Sequence, residues 1–171
     1  GWQRVDLESG GHTCDPYGND GAAEPNACGP FEAHFPGEPG CTAIGTACPE
    51  GPFAEDLPTD VPIVYVQPGA TGDGTTPDSP LGSLDDVPFA DLSQDTVVAL
   101  AKGEYLGRRA LGRTVTLWGA CPAETVLREP NPSSGLAVVT VQSTSVIRRA
   151  RVTLRNLRIG TSRALGVAAL D

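Results

Sequence analysis

The chain has 171 residues, enough for one domain or for one domain with an irregular appendage, and 39% of them are hydrophobic. Glycine and proline make up more than a fifth of the chain, which is typical of a loop-rich or all-β protein and unusual for a compact helical one. No apolar run approaches the roughly 18 residues of a membrane-spanning helix. The composition therefore argues against a helical bundle and against a membrane span.

The charge is divided unevenly along the chain. The first 100 residues hold seventeen acids and a single base, Arg4, whereas eleven bases and four acids follow from residue 101 onward. Such asymmetry indicates that one half contacts the other, or that the basic half contacts an anionic partner. Nucleic acid is disfavoured, because the net charge is −9 and no aromatic residues are interleaved with the arginines of residues 148–163.

Residues 1–61 lack any sustained helical or strand period and are interrupted by turn-forming pairs such as Gly-Gly, Asp-Pro and Pro-Gly. We predict an irregular acidic arm here, anchored by its aromatic residues, among them Phe31, Phe35 and Phe53. The chain contains no methionine and opens with Gly-Trp-Gln-Arg-Val. This start favours a mature product of signal-peptide removal, or an excised piece, over a native initiation site.

Four of the five cysteines fall in the arm, which has little else with which to build a core. We predict that they form disulfides, as in small loop-rich segments of secreted proteins. Zinc, with His12 and His34 nearby, is the weaker alternative because no Cys-x-x-Cys pair exists. The fifth, Cys121, is expected to be buried, although it could instead bond outside the chain or replace one of the four. The predicted disulfide cysteines, whose pairing the sequence leaves open, are Cys14, Cys28, Cys41 and Cys48.

From residue 62 onward short β-prone runs replace the irregular arm. Ser83 is placed to N-cap a short helix that runs from Leu84 to about Leu92. In VTLRNLRIG, at 152–160, alternation points Arg155 and Arg158 outward, and a kink near Asn156 resets the phase. Strands are predicted at 63–66, 96–101, 114–118, 125–127, 136–142, 145–147, 152–154, 157–159 and 167–170.

Residues 64–105, VYVQPGATGDGTTPDSPLGSLDDVPFADLSQDTVVALAKGEY, contain a Tyr-Val strand, a Gly/Asp/Thr loop, a Pro-apolar pair, a short helix and a strand run ending in Gly-x-Tyr. In this order the segment resembles the N-terminal cap and first rungs of secreted bacterial right-handed parallel β-helix proteins of the pectin-lyase-like kind. The phrases VTLWGACPAETVL and VTLRNLRIG resemble their rungs. The resemblance implies an all-β, right-handed, single-stranded parallel β-helix with a short capping helix over residues 62–171, preceded by a disulfide-stapled arm.

Comparable strand phrases begin at residues 97, 115, 137, 152 and 166, and these intervals bracket the roughly 20-residue coil of repeat solenoids. A β-sandwich remains the alternative. The last phrase, GVAALD, is strand-like and lacks a polar cap, so its open rung would expose unpaired backbone groups. We therefore expect the chain to continue in the intact protein, or a partner chain or stacked copy to cover that rung.

Two groups of residues are candidate binding sites. Asp73 and Asp78, in the loop GDGTTPDS, offer oxygen ligands suited to calcium, although Asp and Gly also suit a tight turn. The basic cluster has three candidate roles: docking of the acidic arm, which would account for both charged halves at once, a solvated face, and contact with an anionic polysaccharide. Its ligand-binding residues are predicted to be Arg148, Arg149, Arg151, Arg155 and Arg158.

Catalytic residues are not evident in the sequence. Parallel β-helices include polysaccharide lyases and hydrolases, yet neither Glu124 nor Glu129 pairs with another carboxylate, and there is no Gly-x-Ser-x-Gly motif. We therefore expect a non-enzymatic structural or adhesive module that is secreted or displayed on a bacterial surface. The alternative is the N-terminal part of a carbohydrate-active enzyme whose catalytic rungs lie outside this chain.

Overall fold

The computed structural model describes residues 3–15, 28–35, 38, 40–130, 137–142, 150–160 and 167–170. The protein is all-β, and in the part of the chain that the structure describes strand residues greatly outnumber helical ones. It divides into two compact units, Gly1–Ile44 and Gly45–Asp171. Residues 45–61, which the sequence analysis assigned to the arm, lie in the second unit.

The first unit contains two antiparallel hairpins where the sequence indicated only coil. Strand β1 (Gln3–Asp6) pairs with β2 (His12–Asp15), and β3 (Glu32–His34) pairs with β4 (Cys41–Ala43). The strands have only three or four residues and are mostly exposed, so they carry no hydrophobic alternation that could reveal them. A disulfide from Cys28 to Cys41 links the start of β4 to the chain before β3.

Among its described residues, the second unit contains ten strands in three parallel sheets. In chain order they are β5 (Ile63–Val66), β6 (Thr96–Leu100), β7 (Gly103–Leu106), β8 (Arg109–Leu111), β9 (Val115–Gly119), β10 (Thr125–Arg128), β11 (Val139–Gln142), β12 (Val152–Arg155), β13 (Arg158–Gly160) and β14 (Val167–Leu170). The first sheet has the order β5-β6-β9-β12, the second β7-β10-β13 and the third β8-β11-β14. The predicted strand at 145–147 lies outside the described residues.

Equivalent side chains stack from one strand to the next and build the core. In the first sheet Val98 of β6 is in register with Leu117 of β9, and Leu117 with Leu154 of β12. In the second sheet Leu127 of β10 is in register with Tyr105 of β7. Leu117 is fully buried, and such burial stabilises the fold by about 1.5–3 kcal/mol per leucine side chain.

Strand β6 of the first sheet is covered on both faces. Every residue of β6 is buried, as its unbroken apolar sequence TVVAL predicts for a parallel strand with two covered faces. Residues 45–61 supply the second layer, in which Phe53 packs edge-on against Tyr65, with 5.2 Å between the ring centroids. Ala54 and Trp118 belong to a second small cluster on the same side. Phe53 is therefore an anchor, whereas Phe31, in the first unit, stays 36% exposed.

The Gly/Thr/Pro/Asp loop covers the free edge of β5. The Tyr65 backbone N–H donates to the Gly74 carbonyl, and the Leu81 N–H donates to the Tyr65 carbonyl, both at 2.9 Å. The helix that follows is a single 3₁₀ turn, Leu84–Asp86, in which Ser83 Oγ accepts from the Asp85 N–H at 3.1 Å. It ends far short of the predicted Leu92, because the residue before Pro88 must be extended.

Candidate functional site

The two arginines of the predicted basic cluster that flank Asn156 lie on different sheets. Arg155 ends β12 in the first sheet, whereas Arg158 begins β13 in the second, and Asn156 turns the chain between them with a φ of 50°. Arg151 is exposed just before β12. Arg148 and Arg149 lie outside the described residues. Arg155 and Arg158, three positions apart, are therefore presented by two different sheets.

The Arg155 side chain contacts two other residues of the protein. Its Cζ atom lies 3.8 Å from the ring centroid of Trp118, and its Nη2 lies 3.0 Å from Oδ2 of Asp56. Both partners of the ion pair are about half exposed, so the pair itself contributes less than about 1 kcal/mol, and the cation–π contact adds a similar amount. Because Asp56 belongs to the predicted arm, this contact corresponds to the arm-docking alternative for Arg155.

Three further links hold residues 45–61 against the sheets, and with Arg155 we call them the clamp. A disulfide joins Cys48 to Cys121. Asn156 Nδ2 donates to Thr46 Oγ1 at 2.9 Å, and Asn156 Oδ1 accepts from the Thr46 N–H at 3.2 Å. Lys102 Nζ donates to the Pro49 carbonyl at 2.6 Å. The clamp thus combines one covalent bond with buried and half-buried polar contacts.

The cysteine prediction needs one correction. Cys28, Cys41 and Cys48 are in disulfides as predicted, but the Cys14 thiol is free and exposed, and Cys121 takes the fourth position. Cys121 is fully buried and lies 73 residues from its partner. Packing of residues 45–61 against the first sheet, which no local spacing reveals, brings these two cysteines together.

The Asp73 carboxylate stabilises its own loop. Its Oδ1 accepts from the Thr75 N–H at 3.0 Å and from Thr75 Oγ1 at 2.7 Å, and these bonds lower the pKa of Asp73. Asp78 is exposed in the same loop. Calcium at Asp73 and Asp78 stays a prediction.

Within the described part of the chain, the one group of three close metal-ligand side chains is Cys48, Cys121 and Glu124. Both of its sulfur atoms are already bonded in the disulfide. They are therefore not available as thiolate ligands for a metal ion.

Replacing Thr75 with alanine is expected to raise the pKa of Asp73 toward its ordinary value of 3.8, because one of the hydrogen bonds to the carboxylate is lost. In the native loop the lowered pKa favours the folded state above the ordinary pKa, and this contribution disappears as the pH falls through the lowered value. A carboxyl-carbon NMR titration measures the shift, with Thr76→Ala as the matched control. An unchanged Asp73 titration in Thr75→Ala would contradict the assignment.

A groove of about 570 Å³ lies where the second sheet passes into the third. Arg108 and Glu129 line it, with Arg108 Nε 3.2 Å from Glu129 Oε2. The Arg108 side chain is 45% exposed, whereas that of Glu129 is only 8% exposed. Sequence reasoning missed this site, for which the local signal was the pair Arg108–Arg109 directly after Gly107.

Arg109 also borders the groove but serves the fold. Its side chain is only 10% exposed, and its Nη1 lies 3.1 Å from Oδ1 of Asp85 in the 3₁₀ turn. It also donates to the carbonyls of Arg108, at 2.8 Å, and of Leu106, at 3.0 Å. Arg109 therefore joins the 3₁₀ turn to the start of β8. Arg108 is the arginine presented to the groove.

No model of a known protein family matches the chain, and neither does any curated protein or solved structure. In the part of the chain that the structure describes, no helix has the length and apolar character required to cross a membrane.

Proposed function

We propose that residues 62–171 form a right-handed parallel β-helix of the pectin-lyase-like kind that serves as a non-enzymatic structural or adhesive module outside the cell. The observation that carries the proposal is the strand order. From β6 to β14, successive strands join the first, second and third sheets in constant rotation, and each pairs in parallel with the equivalent strand of the preceding or following turn. Such stacking buries the apolar face of each turn against the next.

The interior chemistry supports a structural role. Tyr105, the buried phenol in the core, has its hydroxyl 2.9 Å from the carbonyls of both Val66 and Ala101. Burial raises the pKa of Tyr105, so the hydroxyl stays neutral and ties adjacent turns together rather than exchanging protons. Thr125 Oγ1 likewise accepts from the Ala120 N–H at 3.1 Å. These polar groups are therefore used in hydrogen bonds within the fold.

The disulfides support an oxidising location. Cys28–Cys41 and Cys48–Cys121 are of the kind that persists in exported proteins and is rare in the cytosol. Arg155, which the clamp occupies, supports docking of residues 45–61 over polysaccharide binding at that position.

The test treats intact bacterial cells that make the protein with a membrane-impermeant maleimide, which reacts with the exposed Cys14 thiol, and uses a thiol-containing cytosolic protein as the control. We expect labelling, and protein in the medium would equally support export. Labelling only after lysis would contradict it.

The protein isolated from those cells at its native length is then incubated with acidic and neutral polysaccharides, while unsaturated and reducing sugar ends are measured. No depolymerisation is expected. Chain cleavage would instead favour the carbohydrate-active enzyme. An experimental structure in which the turns are left-handed, or the strands leave the rotation, would overturn the architecture.

A further inference from the structure

We infer that the groove beside Arg108 binds the carboxylate of a small polar ligand of short-peptide size. This inference goes beyond the proposed structural role and does not depend on it. It rests on three features of the corner between the second and third sheets: an arginine held by a nearly buried acid, polar side chains on the neighbouring strand, and a floor of small residues.

The Arg108 guanidinium is positioned before any ligand arrives. Glu129 follows β10 directly and holds Arg108 through Nε, at 3.2 Å. Gly107, with a φ of 97°, sets the direction of the chain, and its N–H donates to the Arg128 carbonyl at 2.9 Å. A guanidinium anchored through Nε keeps both terminal nitrogens for a second partner, and these nitrogens match the two oxygens of a carboxylate.

The terminal nitrogens of Arg108 point to a ligand because, in the part of the chain that the structure describes, no polar contact uses them. Among the described residues, the ion pair with Glu129 is the polar contact that the Arg108 side chain makes. Its neighbour Arg109 differs, since that guanidinium bonds to Asp85 and to two backbone carbonyls. A carboxylate bound to Arg108 would therefore add hydrogen bonds without breaking the pair that holds the side chain.

The remaining walls suit the body of such a ligand. Thr140 and Gln142, on β11, offer a hydroxyl and an amide, and Ala110 and Ala137 provide a small apolar floor. The volume of about 570 Å³ lies within the usual range of small-molecule sites. The C-terminus of a peptide with small side chains combines all three chemistries: a terminal carboxylate, amides and short apolar groups. A sugar acid offers the same carboxylate, so the experiment must separate the two sources.

The test titrates the full 171-residue protein with trialanine as the free acid, followed by amide-resolved NMR or calorimetry. Trialanine amide and glucuronate form the other two arms. We expect the free acid to bind and the amidated peptide to bind at least tenfold more weakly. Arg108→Gln should weaken binding of the free acid at least tenfold, whereas Arg113→Gln, at an exposed arginine outside the groove, should leave it unchanged.

The outcomes separate cleanly. Glucuronate that binds more tightly than trialanine would keep the carboxylate site and assign it to sugar acids, whereas weaker glucuronate binding would assign it to peptides. Equal binding of the amidated peptide, or an Arg108→Gln protein that binds normally, would overturn the inference. If Arg108→Gln fails to fold by circular dichroism, Arg108→Lys replaces it. A lysine keeps the charge but loses the paired donors, so binding should still weaken severalfold, and unchanged binding would again overturn the inference.

Discussion

Replacing Cys48 and Cys121 together with alanine is expected to lower the free energy of unfolding of the second unit by about 4 kcal/mol. The disulfide closes a loop of 73 residues, and a cross-link of that span removes a large part of the conformational entropy of the unfolded chain. This is the largest effect we expect from any pair of side chains in the protein. It would also free residues 45–61 from the outer face of the first sheet, where Phe53 and Trp118 are now buried.

The measurement is denaturant unfolding followed by Trp118 fluorescence, in a Trp2→Phe background so that only the second unit reports. The matched control is Cys28→Ala with Cys41→Ala, which removes a disulfide of the first unit that spans 13 residues. This control should leave the Trp118 transition in place. Equal destabilisation by both double variants would refute the clamp as the source of the effect.

Gly119→Ala is expected to lower the free energy of unfolding, measured by denaturant titration, by about 3 kcal/mol, because the corner after β9 has no room for a methyl group. A Cβ there would overlap the Asn156 carbonyl oxygen and lie 2.9 Å from both Leu157 Cβ and Thr125 Cγ2. The contact with the backbone cannot be relieved by a side-chain rotation. The effect is steric rather than conformational, since Gly119 does not have a positive φ.

Gly51→Ala is the matched control for this substitution. It lies in the same unit, also lacks a positive φ, and has no atom within 4 Å of the position its Cβ would occupy. Its free energy of unfolding should stay within about 0.5 kcal/mol of that of the parent protein. A Gly119→Ala protein as stable as the Gly51→Ala protein would show that the turns are not packed as closely as described.

Much of the strand pattern was predictable because it is local. VTLRNLRIG shows this best: Val152, Leu154 and Ile159 face inward to different degrees, Arg155 and Arg158 are exposed, and the phase resets at Asn156 as predicted. Strands β7 and β8 were missed, because three or four residues next to Gly103 and Gly107 look like turns. Only pairing with β10 and β11 makes them strands.

The candidate sites were less predictable than the strands. The spacing of the basic cluster suggested one shared surface, but the corner at Asn156 places Arg155 and Arg158 on different sheets. Arg108 lies outside that cluster and was not predicted as a site residue. Its importance depends on Glu129, which lies 21 residues away and is brought beside it by the pairing of β7 with β10.

The sequence by itself determined most of the extended segments of the second unit, which of their side chains face inward, and that the protein is all-β with disulfides. These properties follow from alternation, turn residues and composition, all of which act over a few neighbouring positions. Only the tertiary structure decided which cysteines pair, which arginine is consumed by the clamp and where a groove opens. Those features depend on which strands stack, and the corner segments between strands vary too much in length for spacing along the chain to predict proximity in space.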